Sequence, residues 1–129
     1  MLEASENLRL LAIWSEYIAE NETRSAFWYL IGMSACLINY QCLADWKGDV
    51  RDFRYFDSDE RQLYSFITNQ KWLLFYFRLP AIRSDRHSKE RLFDLFADAN
   101  ENTAGEWTVK IKSIDDVDRL VKFLGWQES

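Results

Sequence analysis

Between Ser25 and Ala44 the sequence SAFWYLIGMSACLINYQCLA carries no charged side chain. A run of this length either crosses a membrane or is wrapped inside the protein's own core. Ser25, Ser34, Asn39, Gln41 and Gly32 interrupt it, and the clean apolar part shrinks to the 13 residues from Ala26 to Ile38. That is the length of a buried core helix rather than of a bilayer span. Asp45 and Asp49 follow it, and no basic cluster anchors either end. The run therefore reads as a central helix ending near Asp45, apolar around most of its circumference and buried on most sides. Phe27, Leu30, Ile31, Ser34, Leu37 and Ile38 form its main face, Thr23 is a candidate N-cap, and Gly48 in WKGD can break it with a left-handed backbone.

The rest of the chain must supply the layers that cover such a helix. A length of 129 residues fits one domain, and 48% hydrophobic against 29% charged residues is a globular balance. Six Trp, six Tyr and nine Phe allow a short chain to bury a large core. Ahead of the central helix, Leu8, Leu11, Ala12, Ser15, Ile18 and Ala19 have helical spacing, so a first helix runs from about Ser5, a candidate cap, to Glu20. VRDFRYFD alternates Phe53 and Tyr55 with charges and reads as a strand; KWLLFYFRL is a continuous apolar run, hence a buried central strand closed by Pro80. The stretch 59–70 fits either a helix capped by Ser58 and Asp59 or, as the flanking turns favour, the middle strand of a meander. DRHSKERLFDLFADA is an amphipathic helix with Leu92, Phe93, Leu95 and Phe96 inward; EWTVKIKS alternates as a strand with Trp107, Val109 and Ile111 buried. The last helix starts at the cap Ser113 and stops at Gly125. The expectation is a single-domain α+β fold: two N-terminal helices, a three-stranded antiparallel meander, then helix, strand, helix, with the helices mainly on one face of the sheet.

Chemistry is scarce in this pattern. No nucleophile motif or phosphate-cradling glycine loop is present, and the single His87 lies in the polar stretch RSDRHSKER, where an exposed histidine is expected. Cys36 and Cys42 fall on different faces of a helix and read as buried free thiols of a reducing compartment. Glu106 and Lys110 share one strand face, the minimal start of a metal nuclease site, but alternating charges are routine on a wet sheet face. The expectation is therefore no catalytic residue, no cofactor and no metal. MLEASENLRLL lacks a basic leader segment, which points to a cytoplasmic protein without a membrane anchor.

Two surface stretches remain. DWKGDVRDFRYFDSDE, residues 45–60, interleaves six acids with aromatics in a chain of net charge −5. Carboxylates steer toward a basic protein and aromatics give anchoring area. Asp45, Asp49, Asp52, Asp57, Asp59 and Glu60 are the candidate steering charges, with Trp46 and Tyr55 as anchors. This is the pattern expected of an immunity- or antitoxin-type inhibitor that occludes a basic nuclease toxin, or of a phage-encoded inhibitor of a host nuclease, with no direct nucleic-acid contact. The second stretch, residues 78–91, holds Arg78, Arg83, Arg86, Lys89 and Arg91, and would serve a nucleic-acid-associated or nuclease-like subunit instead. A structural homodimer that seals exposed aromatics is a third expectation.

Overall fold

The computed structural model describes residues 5–126. The elements are α1 (Ser5–Tyr17), α2 (Asn21–Ala35), β1 (Gln41–Lys47), β2 (Val50–Phe56), β3 (Gln62–Thr68), β4 (Leu73–Phe77), α3 (Leu79–Arg83), α4 (Lys89–Leu95), β5 (Asn100–Glu101), β6 (Trp107–Ile111) and α5 (Ile114–Leu124). The strands form one antiparallel sheet in the order β1-β2-β3-β4-β6-β5. The α+β class expected from the sequence is present, but the meander has four strands rather than three.

The extra strand comes out of the uncharged run. The helix stops at Ala35, Cys36 N–H turns back to Met33 O at 3.2 Å, and Gln41–Lys47 is β1. From Gln41 onward burial alternates: Cys42 and Ala44 are buried while Gln41 and Leu43 are exposed, the period-2 pattern of a strand. The absence of charge had hidden this change of period. The helix itself is two-sided. Ala26, Phe27, Leu30, Ile31 and Ser34 are buried, whereas Trp28 and Tyr29 are exposed, and beyond it Ile38 is 75% exposed. Thr23 does not cap it. Its hydroxyl, on the third helical residue, is buried and reaches Lys71 O at 3.0 Å and Lys112 O at 3.3 Å, which pins α2 to the ends of β4 and β6.

Residues 62–68 form a strand because Asp57 Oδ1 accepts from both Asp59 N and Arg61 N at 2.9 Å, turning the chain before a helix can start. Ser113 caps α5 by accepting from Asp116 N, and Gly125 (φ 75°) ends it, both as the sequence implies. The amphipathic stretch is a helix only over α4, capped by Ser88, with Leu92 and Phe96 buried. α3 and the β5–β6 hairpin are additions to the helix-strand-helix expectation. In α1 the buried face is Asn7, Leu11, Trp14 and Ser15, with Ile18 buried just beyond it, while Leu8, Ala12 and Ala19 are exposed; the side chain of Ser5 lies outside the described residues.

One face of the sheet carries Phe53 and Tyr55, Tyr64 and Phe66, Leu73, Phe75 and Phe77, Trp107, Val109 and Ile111, all at most 6% exposed. α1, α2 and α5 cover it: Phe27 meets Phe66 at 6.1 Å, Ser34 meets Tyr55, and Phe123 meets Phe77 at 5.8 Å. Each buried ring of this kind stabilises by about 1.5–3 kcal/mol. Edge-to-face pairs such as Phe53–Tyr55 (5.2 Å, 78°) add about 0.5–1.5 kcal/mol. Among the described residues no helix is long and apolar enough to cross a membrane.

Candidate functional site

With α1, α2 and α5 on one face, the opposite face and the β1 edge are left to carry recognition. β1 and β2 are joined by Gly48 and Asp49, with Gly48 at φ 58°, as the first central position of a type II′ hairpin turn demands. Among the described residues no strand pairs with the outer side of β1. In an antiparallel ladder alternate residues turn their backbone groups outward, here Cys42, Ala44 and Trp46. The Ala44 N–H is already taken, by Asn7 Oδ1 of α1 at 2.8 Å. Around this hairpin Leu43, Trp46 and Val50 are exposed by 46%, 39% and 45%. Trp46 is held by its indole N–H on Gly48 O at 2.8 Å, and Arg51 lies over both it and Tyr17.

The candidate acids do not form one patch. Asp45, Asp49 and Asp52 belong to the turn end of the hairpin; Asp57, Asp59 and Glu60 form the β2–β3 turn at the other end of the seven-residue β2. At about 3.3 Å per residue the two groups stand roughly 20 Å apart. Asp49 and Asp59 are exposed, as is Glu60, which holds a positive φ of 61° in its turn. Burial opposes ionisation of Asp57, but backbone and side-chain hydrogen bonds from Arg61, the Asp59 N–H and the Arg61 charge together hold its carboxyl below the ordinary carboxylate value. This turn flanks an open cleft of about 610 Å³ lined by Gln41, Leu43, Phe56 and Glu60.

Two members of the candidate set are not surface groups. Tyr55 is fully buried, with its ring 5.1 Å from Trp126 and its hydroxyl 2.6 Å from Ser34 Oγ. Alternation along β2 turns it to the core, so it is no anchor; burial raises its phenol well above the ordinary value. Asp52 is 6% exposed and lies on the open face, its Oδ2 2.8 Å from Arg54 Nε. Asp45, directly opposite it across the hairpin, accepts from Arg54 Nη2 at 3.1 Å.

The cross-strand register assembles the open face in rows. One runs Leu43, Arg54, Ser65, Tyr76, Thr108; its neighbour runs Asp45, Asp52, Ile67, Leu74, Lys110. Arg78 ties the first row together, donating to Ser65 Oγ at 3.0 Å and to both oxygens of Glu106 at 3.1 Å, with its guanidinium 4.3 Å from the Tyr76 ring. Lys110 lies 4.4 Å from the Trp72 ring. Glu106 and Lys110 thus share the face but are each held by another partner, and among the described residues no cluster of three His, Cys, Asp or Glu is placed to hold a metal. Where the first row meets α3, a cleft of about 440 Å³ is lined by Asp52, Arg54, Gln62, Arg78, Pro80 and Glu106. Ser65, Tyr76 and Gln62 carried no signal in the sequence beyond strand alternation. Their meeting with Arg78 and Glu106 depends on strand order, which that alternation does not specify.

The basic stretch 78–91 is dispersed. Arg78 serves Glu106, Lys89 pairs with Glu101 at 2.7 Å, and only Arg83, Arg86 and Arg91 project as exposed arginines. His87 is half-buried rather than exposed, because the chain between α3 and α4 lays its ring against Phe77 and Phe123 with Nε2 2.5 Å from Tyr64 OH. Burial, with Arg86 adding, pushes His87 down to about 4. Cys36 is exposed, contrary to the expectation of two buried thiols; Cys42 is buried, and burial pushes its thiol up to about 11. Set beside known protein families, curated proteins and solved structures, the chain matches none.

Proposed function

We propose that this protein is a binding module for a basic protein, and that its open sheet face together with the β1–β2 hairpin forms the contact surface. Its most concrete form is an immunity- or antitoxin-type inhibitor that occludes a basic nuclease. The observation that carries the reading is the hairpin: Leu43 and Val50 stand exposed on the open face beside Asp45 and Asp52, and Trp46, on the other face of the ladder with Arg51 and Tyr17, is exposed near the same turn as Asp49. Exposed apolar side chains beside carboxylates on one face, with an exposed indole on the other side of the same hairpin, suit a cationic partner that grips this edge, since the carboxylates steer encounter and the apolar contacts slow release. Occlusion needs neither a bound metal nor a nucleophile. The alternative, nucleic-acid contact through residues 78–91, has weaker support because Arg78 and Lys89 are engaged by Glu106 and Glu101.

The test is affinity capture from the source cell with the native chain and with Asp45→Lys/Asp49→Lys in parallel. A captured basic protein that the charge-reversed chain fails to hold, and whose nuclease activity the native chain suppresses, supports the reading. An acidic partner, or capture indifferent to the reversal, rejects it.

A further inference from the structure

Resting on that reading of the open face, we propose that the Asp45–Arg54–Asp52 group is the seat for one cationic side chain, an arginine or lysine of the partner. Asp45 and Asp52 are directly opposed across β1 and β2, an unfavourable placement for like charges. The single guanidinium of Arg54 serves both, at 3.1 and 2.8 Å, so the trio keeps a net negative charge. Asp52 is more than nine-tenths buried, and its Oδ1 has no hydrogen-bond partner among the described residues. A buried carboxylate with an unfilled acceptor is costly, and a donor that filled it would recover that cost.

The neighbours do not provide one. Arg78, across the same cleft, is committed to Ser65 and Glu106. Glu106 Oε1 accepts from Asn102 as well, and Lys110, in the row of Asp52, lies over Trp72. An anion would meet two carboxylates, whereas an organic cation with N–H donors matches both the charge and the missing hydrogen bond. Half-buried Ile67 and Leu74, next in the row, offer an apolar floor for the aliphatic stem of a long cationic side chain. The Asp52 oxygen is closed to bulk solvent, so the incoming group enters past Arg54, whose side chain is 30% exposed.

The experiment titrates the full chain with methylguanidinium, and separately with tetramethylammonium, a cation without N–H donors, following backbone amide shifts by NMR. The expected result is saturable shifts at Asp52, Arg54 and Ile67 with methylguanidinium alone, with Kd on the order of 1–10 mM. Asp52→Asn weakens this by about tenfold. Ile67→Lys, which sets an ammonium directly opposite Asp52, abolishes it and raises Tm. Equal, unsaturable shifts from both cations overturn the proposal, as does binding that survives in both variants. Saturable binding in a chain whose captured partner ignores the hairpin rejects the proposed function and keeps the cation seat. A partner that needs the hairpin acids while neither variant alters the probe's effect rejects the seat alone.

Discussion

The contact between Ser34 and Tyr55 makes an asymmetric pair of substitutions. Ser34 Oγ donates its one proton to Leu30 O at 2.7 Å, so in the 2.6 Å contact with Tyr55 the phenol is the donor. Both residues are fully buried. Tyr55→Phe removes the donor and leaves Ser34 satisfied through Leu30, a loss of one hydrogen bond worth about 0.5–1.5 kcal/mol. Ser34→Ala leaves a buried phenol with no acceptor at that site and costs about 1–3 kcal/mol. In the double variant the stranded donor is gone, and the cost falls back to about that of Tyr55→Phe, so the coupling equals the Ser34→Ala cost, about 1–3 kcal/mol. Urea denaturation of the four chains, with equal m-values as the control for two-state behaviour, measures all three quantities. Strict additivity, or a Tyr55→Phe cost exceeding that of Ser34→Ala, would refute the assignment of donor and acceptor and with it the claim that Tyr55 is a core residue.

Three further outcomes are expected. His87 has an ordinary value of 6.5 and is pushed to about 4 by burial, so the unfolded chain binds the proton first; its contribution to stability is complete above about pH 6.5 and lost as pH falls toward 4, and His87→Phe removes that slope from thermal melts. Arg54→Ala leaves Asp45 and Asp52 opposed without a cation and costs about 1–3 kcal/mol, a loss that Arg54→Ala/Asp52→Asn largely restores in urea melts. Gly48→Ala meets no atom within 4 Å, so its cost of about 1–2 kcal/mol is purely backbone, and Gly48→Asn costs less by the same measurement.

The sequence showed most clearly those elements whose period and end signals agree. α5 has helical spacing between a serine cap and a left-handed glycine, and β4 is apolar on five consecutive positions. β1 was illegible because residues 25–44 lack charge, and a helix and a strand without polar markers look alike until the burial of Cys42 and Ala44 separates them. The hairpin acids were visible as a composition, but their division into two groups follows from the length and direction of β2. Arg78 and Glu106 are 28 positions apart and meet because β6 inserts beside β4, a choice of strand order made by packing. The neighbours of His87 in sequence are polar and imply exposure, whereas its neighbours in space are rings that half-bury it.

The amide of Ala44 held by Asn7 has a consequence for colloidal behaviour. An unguarded strand at the rim of a sheet is a template on which like chains stack into fibrils. Here the opening helix stoppers that rim from the side with a carboxamide oxygen. Clipping the chain within α1 would free that rim to nucleate ordered precipitation.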